Sequence, residues 1–94
     1  MAITFEWDEV KNRENQEKHD VSFEEAQYAF ADPNRIINRD LEHSETEERF
    51  FCLGRIERGI LTVRFTYRGN TIRILGARFW HRGKREYEKE QRRG

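Results

Sequence analysis

The hydrophobic positions of this chain follow two different periods, which predict where its strands and helices lie. In the C-terminal half, apolar side chains recur at every second residue, the period of a strand with one buried face. The dipeptides Arg58-Gly59 and Gly69-Asn70 are typical of tight hairpin turns. We therefore predict a short strand followed by three longer antiparallel ones, over Arg35–Arg39, Arg49–Glu57, Ile60–Arg68 and Thr71–Arg78.

The N-terminal quarter has few apolar positions, and capping chemistry indicates its elements. Residues 3–7 (ITFEW) predict a short strand. Asp8 then stands at the N-cap position of a helix that runs to about Lys18, with the acidic Glu9 in its first turn. Because Val10 is almost the only aliphatic side chain of this helix, we expect it to be mostly solvated.

The second helix is indicated by both its cap and its periodicity. Ser22 followed by Glu25 matches the capping box, in which each side chain bonds the backbone of the other. Phe23, Ala26 and Phe30 recur at helical spacing and are expected to face the core. Asp32-Pro33 should end the helix, because proline disfavours helical geometry in the residue before it.

These elements predict one small α+β domain over residues 1–94, since no repeat or long linker interrupts the chain. Its parts are an N-terminal strand, two helices, a four-strand antiparallel meander and a C-terminal helix. Residues 82–93 form that last helix, a charged segment with Tyr87 as its one anchor. An acidic loop over residues 43–48 precedes the long strands.

The charges cancel in total but are sorted along the chain. Residues 1–47 hold thirteen acids and five bases, and residues 48–94 hold five acids and thirteen bases. Such an asymmetry is typical of a surface that binds a polyanion, usually a nucleic acid. The alternative is that the two halves pair with each other across one small domain.

Composition excludes several other classes of protein. Only 35% of the residues are hydrophobic, so we expect a thin core and a partner that covers one face. Cys52 is the single cysteine, which excludes a disulfide framework and favours a buried position in a strand. No apolar stretch approaches the length of a membrane span and no signal segment is visible, so we expect a cytoplasmic protein.

Strand alternation predicts a cluster of arginines on one face of the sheet. With turns at the two dipeptides, Leu53 falls opposite Arg64, Phe51 opposite Thr66, and Arg49 opposite Arg68. The same counting places Thr66 opposite Arg73 and Arg68 opposite Thr71 in the last hairpin. One face then collects four guanidinium groups: Arg49, Arg64, Arg68 and Arg73.

Arginines on a sheet suit a phosphate backbone, because guanidinium binds phosphate through two hydrogen bonds and keeps its charge. Phe79 and Trp80, just past the last strand, are candidates for stacking on unpaired bases. In the alternative interpretation the aromatic residues belong to the core and nearby acids neutralise the arginines. Those acids are Glu42, Glu45, Glu47 and Glu48.

The chain offers three histidines for proton transfer. His19 ends a helix and has Lys18 beside it, and His81 lies among Trp80 and two cations. His43 stands in the acidic loop, where a histidine is most often an ordinary surface residue. The histidines are far apart in sequence and no phosphate-binding glycine loop occurs, so we predict neither a metal site nor a cofactor.

Taken together, the residues resemble the BrnT family of bacterial type II toxins. The resemblance begins in the stretch FEWDEVKNRENQEKHDVSFEEAQYAFADP and spans about residues 5–88. Matching positions in the first half are Trp7, Asp8, Lys11, Asn15, Lys18, His19, Val21, Phe23, Glu25 and Ala26. Further matches are Glu48-Arg49, Gly54, Arg64 and the segment IRILGAR that ends at Arg78. One departure is Lys84-Arg85, where many members have a Glu-Arg pair.

The resemblance implies a RelE-like ribonuclease with a microbial-RNase-type fold. It also implies inhibition by a BrnA-like antitoxin, a ribbon-helix-helix protein that alone contacts the operator DNA. On this hypothesis Arg64 and Arg78 stabilise the phosphate, and Arg49, Arg68, Arg73 and Trp80 bind RNA. Lys18, His19 or His81 transfers protons, and Tyr87 positions the substrate. The competing hypothesis is a non-catalytic homologue that binds the antitoxin and acts as a co-repressor.

Overall fold

A computed structural model describes residues 3–43 and 46–93 of the chain. It contains one five-stranded sheet with the strand order β1-β5-β4-β3-β2. The strands are β1 (Thr4–Glu6), β2 (Ile36–Asp40), β3 (Arg49–Ile56), β4 (Gly59–Arg68) and β5 (Thr71–Arg78). The helices are α1 (Glu9–His19), α2 (Phe23–Ala26) and α3 (His81–Arg93), and α2 continues into a 3₁₀ helix over Gln27–Ala31. None of the described helices is long and apolar enough to cross a membrane.

The α+β class and the antiparallel meander β2-β3-β4-β5 are confirmed. The predicted bounds of the strands are right to within two residues. What the pattern did not indicate is the place of the first strand, which pairs in parallel with β5, Phe5 opposite Ile72. The last strand of the sheet in sequence, β5, therefore lies beside the first strand, β1.

Helix α1 is capped as predicted and attached by polar rather than apolar contacts. The Asp8 carboxylate accepts hydrogen bonds from the backbone N–H groups of Val10 and Lys11, and Asp20 ends the helix with a φ of 58°. Val10 is 59% exposed, whereas Asn12 and Asn15 are buried. The poor amphipathicity of this helix thus reflects attachment by two buried amides.

Both asparagines bond backbone groups that would otherwise lack partners. Asn15 donates to the carbonyls of Val21 and Ala77, at 2.9 and 2.8 Å, and accepts from the N–H of Ala77. Asn12 accepts from the N–H of Phe23. Because an unpaired backbone group is costly in the interior, these bonds fix the position of α1 against β5 and the start of α2.

At α2, one half of the capping box is confirmed and the other is wrong. The hydroxyl of Ser22 accepts from the N–H of Glu25 at 3.0 Å. The carboxylate of Glu25, however, accepts two hydrogen bonds from the guanidinium of Arg58, at 2.6 and 2.7 Å, instead of turning back to the cap. The bonds from Arg58 lower the pKa of Glu25 against the opposing effect of burial.

The register of the first long hairpin differs from the prediction by two residues. The turn is Glu57-Arg58, so that Phe51 lies opposite Arg64 and Leu53 opposite Thr62. The predicted pairs of Leu53 with Arg64 and of Phe51 with Thr66 are therefore wrong, and Arg49 is not opposite Arg68. Because side chains alternate with a period of two, this shift leaves every residue on its predicted face.

In the second hairpin, the predicted pairs Thr66–Arg73 and Arg68–Thr71 are confirmed. An irregularity follows: Arg64 pairs with Gly76 and Phe65 with Ile74, so Leu75 is an extra residue in β5. Such a bulge bends the strand and re-aims the side chains beyond it. It brings the glycine, rather than a bulky side chain, opposite Arg64.

The sheet has two unlike faces, here called the closed face and the open face. The closed face packs against α1, α2 and the 3₁₀ helix, and its core includes the predicted Phe23, Ala26 and Phe30. Cys52 is also buried there, and burial raises the pKa of its thiol to about 12. The open face is covered by α3 only at one end, where Tyr87 packs with Leu53 and Ile60.

Candidate functional site

A cavity of about 670 Å³ occupies the uncovered part of the open face. Helix α3, the C-terminal end of α1 and the residues that follow β2 form its walls, and β3, β4 and β5 form its floor. The ionisable and aromatic residues that line it are His19, Arg39, Asp40, Glu42, His43, Phe51, Arg64, Arg78, Trp80, Arg82 and Glu86. The cavity therefore collects four arginines, two histidines and three carboxylates.

Arg64 lies on the floor of this cavity in the middle of the sheet. Pairing across the strands aligns Asn38, Phe51, Arg64 and Gly76 in one row. Gly76 has no side chain, and a Cβ at this position would lie 3.9 Å from the guanidinium of Arg64, an ordinary van der Waals distance. Within residues 3–43 and 46–93, no carboxylate forms an ion pair with Arg64. This cation is thus half-buried and open to an external anion.

Arg78 and Arg82 are held at the cavity by an aromatic ring. Their guanidinium carbons lie 4.7 and 5.7 Å from the centre of the Trp80 ring. Trp80 in turn contacts Phe51, at 6.3 Å between ring centres. Stacking on an aromatic face orients a guanidinium while leaving its N–H donors free for a phosphate. Trp80 therefore positions two cations, and Arg82 is one that the sequence argument did not select.

The remaining arginines of the predicted cluster have acidic partners. Arg49 and Arg68 both approach Glu47, at 3.9 and 3.7 Å. Arg73 donates to Glu6 on β1 at 2.6 Å. Acids thus neutralise three of the four predicted arginines. One of these acids, Glu6, is not among those that the sequence indicated. Glu48 pairs with Arg39 instead, Glu42 lines the cavity, and Glu45 lies outside the described residues.

Pairing between the acidic and the basic half of the chain accounts for some of the sorted charges but not for all of them. Several N-terminal acids pair with C-terminal bases, as Asp20 and Glu25 do with Arg58. The hypothesis that the halves pair with each other is therefore correct for part of the chain. Of the four arginines that line the cavity, Arg39 pairs with Glu48, whereas Arg64, Arg78 and Arg82 form no ion pair with the described acids.

The histidines occupy three different environments. His19, at the end of α1, lines the cavity. His81 instead lines a second cleft of about 500 Å³ on the other side of Trp80, together with Lys84. His43 lines the main cavity, and its Nδ1 atom lies 3.1 Å from Oδ2 of the buried Asp40. His43 is exposed, as expected for a surface residue, but it also pairs with Asp40, and the signal for this pair is an Asp-x-x-His spacing at the end of a strand.

Lys18 and Tyr87 lie outside the lining of the cavity. Lys18 is exposed on α1. Tyr87 is 2% exposed, and its hydroxyl donates to Oδ2 of Asp32 at 2.6 Å. Burial and that hydrogen bond raise the pKa of Tyr87. Burial alone would raise the pKa of Asp32, but bonds from Tyr87, Arg55 and Asn34 lower it.

No group of three or more His, Cys, Asp and Glu side chains in the described ranges is arranged to hold a metal ion. The donor set of the cavity is instead rich in guanidinium, which binds anions. What the arrangement offers chemically is charge stabilisation by arginine beside groups that accept or release protons.

Comparison with known proteins agrees with this chemistry. Residues 7–84 match the family model described as "Ribonuclease toxin, BrnT, of type II toxin-antitoxin system". No match was found among curated proteins. The matched segment contains the whole sheet from β2 to β5, both N-terminal helices and the start of α3. Because it covers most of the chain, this protein belongs to the BrnT family of ribonuclease toxins from type II toxin–antitoxin systems.

Proposed function

We propose that this chain is an endoribonuclease that cleaves RNA without a metal ion, at the cavity on the open face. The observation that carries the proposal is Arg64: a half-buried cation on the cavity floor, without an ion pair among the described acids. Arg78 and Arg82 flank the same cavity. The family is one of ribonuclease toxins, which makes an RNA phosphate the ligand to expect there.

RNA carries its own nucleophile, so the protein needs only positioning, charge stabilisation and proton transfer. The 2′-hydroxyl loses its proton, its oxygen bonds to the adjacent phosphorus, and the bond from phosphorus to the 5′-oxygen breaks. The 5′-oxygen takes a proton, and the products are a 2′,3′-cyclic phosphate and a 5′-hydroxyl end. Arg64 and Arg78 stabilise the charge that develops on the phosphoryl oxygens during this step.

The roles proposed for the other predicted residues depend on where each lies relative to the cavity. Arg49, Arg68 and Arg73 are proposed to contact the RNA backbone at the rim, where they exchange an acidic partner for a phosphate. Trp80 offers a ring for stacking in addition to orienting two arginines. His19 adjoins the cavity, whereas Lys18, His81 and Tyr87 lie outside its lining, so their contribution to cleavage stays a prediction.

Cleavage is tested with purified protein and RNA in the presence of a chelator. We expect cyclic-phosphate products, and replacing one charge-stabilising group, as in Arg64→Ala, should lower kcat by about 10²–10³-fold. Arg78→Ala should have a smaller effect in the same direction, because Arg82 shares its position on Trp80. Arg13→Ala is the matched control, since Arg13 is exposed on α1 and does not line the cavity.

Two results would contradict this assignment. If Arg64→Ala and Arg78→Ala both cut RNA and arrest growth like the wild type, the site lies elsewhere. If the wild type leaves RNA uncut, the non-catalytic alternative, a module that binds antitoxin and represses transcription, becomes the better hypothesis.

We further propose that a BrnA-like antitoxin with a ribbon-helix-helix domain silences the protein, and that operator DNA is contacted through that partner alone. Membership of a toxin–antitoxin family supports an antitoxin partner. The test is co-purification of the two proteins from co-expressing cells. We expect the complex to bind operator DNA and the toxin alone not to bind it. DNA binding by the toxin alone would contradict the proposal.

A further inference from the structure

Asp40 and His43 form a polar contact with each other, and both residues line the cavity. Asp40 is the last residue of β2, and its side chain is only 4% exposed. The Nδ1 atom of His43 lies 3.1 and 3.3 Å from its two carboxylate oxygens, while about half of the His43 side chain is exposed. When Nδ1–H donates to a carboxylate, the Nε2 atom of the same ring is left with a lone pair that accepts a proton.

The pair stands within reach of the anion site. Asp40 follows Asn38 by two residues, and Asn38 begins the row that runs through Phe51 to Arg64. With neighbouring strands about 4.8 Å apart, the Cα atoms of Asp40 and Arg64 are separated by about 12 Å. His43 and Arg64 line the same cavity. A nucleotide whose phosphate binds Arg64 thus has the imidazole on one side of it.

We infer that His43 is the general base of the RNA cleavage and that Asp40 is its positioning residue. This inference rests on the proposed function and names the group that takes the proton of the 2′-hydroxyl. Nε2 of His43 accepts that proton as the 2′-oxygen bonds to phosphorus. The 5′-oxygen takes a proton from water when its bond to phosphorus breaks, and the imidazolium returns its proton to the hydroxide that remains.

The other two histidines lack this arrangement. His19 also lines the cavity, but no described side chain or backbone group forms a hydrogen bond with its ring. His81 lies in the second cleft, beyond Trp80. A base held by a buried carboxylate is fixed in ring orientation and tautomer, and such fixation is what a carboxylate contributes to histidine catalysis.

The experiment uses the full chain, one RNA substrate and a copy of it with a 2′-deoxy nucleotide at the cleavage site. The deoxy RNA cannot react, so its Kd reports binding alone. His43→Gln should lower kcat by about 100-fold or more while the Kd for the deoxy RNA stays within about twofold. Added imidazole should restore part of the activity of His43→Gly. His19→Gln and His81→Gln are measured beside it, and a larger loss at either would overturn the inference.

Asp40→Asn separates positioning from a merely structural role. We expect kcat to fall by about tenfold or more with the Kd for the deoxy RNA unchanged. The ¹⁵N chemical shifts of the His43 ring should report protonated Nδ1 in the wild type and a changed tautomer balance in the variant. If kcat, the Kd and the thermal midpoint all worsen together and the tautomer stays the same, the aspartate only supports the loop and its positioning role is wrong.

The outcomes also distinguish this inference from the proposed function. Cleavage by the wild type with equal cleavage by His43→Gln leaves the ribonuclease intact and overturns the base. Absence of cleavage by the wild type overturns the proposed function, and the inference with it.

Discussion

The two faces of the same sheet perform opposite tasks, and strand β4 shows the difference residue by residue. Leu61, Val63 and Phe65 point to the closed face and are fully buried. Thr62 and Arg64, between them, point to the open face, where Thr62 is covered by α3 and Arg64 lines the cavity. One strand therefore supplies the core and the candidate site at once.

This difference explains how a chain with so few apolar residues keeps an uncovered surface. The closed face provides most of the apolar burial, since its core cluster extends over α2, the 3₁₀ helix and the three strands β3, β4 and β5. The open face has only a small cluster around Tyr87 and Leu53. Packing the cavity with apolar side chains would strengthen the fold but remove the anion site, so stability and the proposed chemistry are divided between the faces.

The largest effect is expected from filling space on the closed face, with Gly54→Ala. A Cβ at Gly54 would lie 2.2 Å from the carbonyl oxygen of Ala29, and backbone on both sides cannot move aside. We expect a loss of about 4 kcal/mol in the free energy of unfolding, measured by urea denaturation. Gly69→Ala is the control: no atom lies within 4 Å of its Cβ, and its φ of 62° should cost about 1 kcal/mol. Equal losses in the two variants would contradict close packing at Gly54.

How much of this architecture the sequence predicts depends on whether the signal is local. Strand alternation assigns faces correctly even where the turn is misplaced, because the hairpin shift is two residues and the period is two. Capping at Asp8 and Ser22 depends on neighbours two or three residues away, so it is also predictable. The bulge at Leu75 and the parallel pairing of β1 have no local signal, and both were missed.

For the candidate site, the sequence predicts the residue types but not which of the arginines stay without an acidic partner. Four arginines share a face by alternation, yet only the folded chain shows that Glu47 and Glu6 occupy three of them and leave Arg64. Acid partners come from distant segments, which a strand pattern does not specify. His43 is exposed as expected, and it also contacts the buried Asp40, which lies at the end of β2 and not in the acidic loop.

A smaller loss is expected from Asn15→Ala, which removes the polar attachment of α1 to the closed face. The substitution leaves the N–H and carbonyl of Ala77 and the carbonyl of Val21 without their partner. Unpaired buried groups of this kind should cost about 3 kcal/mol in the free energy of unfolding. Glu14→Ala, on the exposed side of the same helix, controls for helix propensity. A loss no larger than in that control would mean that apolar contacts hold α1.

On the open face, Gly83→Ala tests how α3 is seated. A Cβ at Gly83 would lie 2.1 Å from the hydroxyl oxygen of Thr62, which has no hydrogen-bond partner among the described residues. Because the obstacle is one side chain and the helix that carries Gly83 can shift away from it, we expect a loss of about 2 kcal/mol in the free energy of unfolding. Thr62→Ala should restore most of that stability in the double variant, and additive losses in the double-mutant cycle would contradict the contact.

The smallest effect concerns the bond between Tyr87 and Asp32, and its size depends on pH. Tyr87→Phe removes a hydrogen bond to a carboxylate and should cost about 1.5 kcal/mol near pH 7. The folded chain lowers the pKa of Asp32, so this contribution is present above the unfolded pKa of about 4 and is lost as the pH falls through the folded value.

The same bond raises the pKa of Tyr87, so its contribution is also lost as the pH rises through that raised value, above about 10. Thermal midpoints of the wild type and Tyr87→Phe should therefore differ most near neutral pH and converge in acid and in alkali. A gap that stays constant from pH 2 to pH 11 would show that the variant loses packing around the ring rather than the hydrogen bond. The cleavage rate of Tyr87→Phe, measured at neutral pH, then decides whether this tyrosine does more than seat α3 beside the cavity.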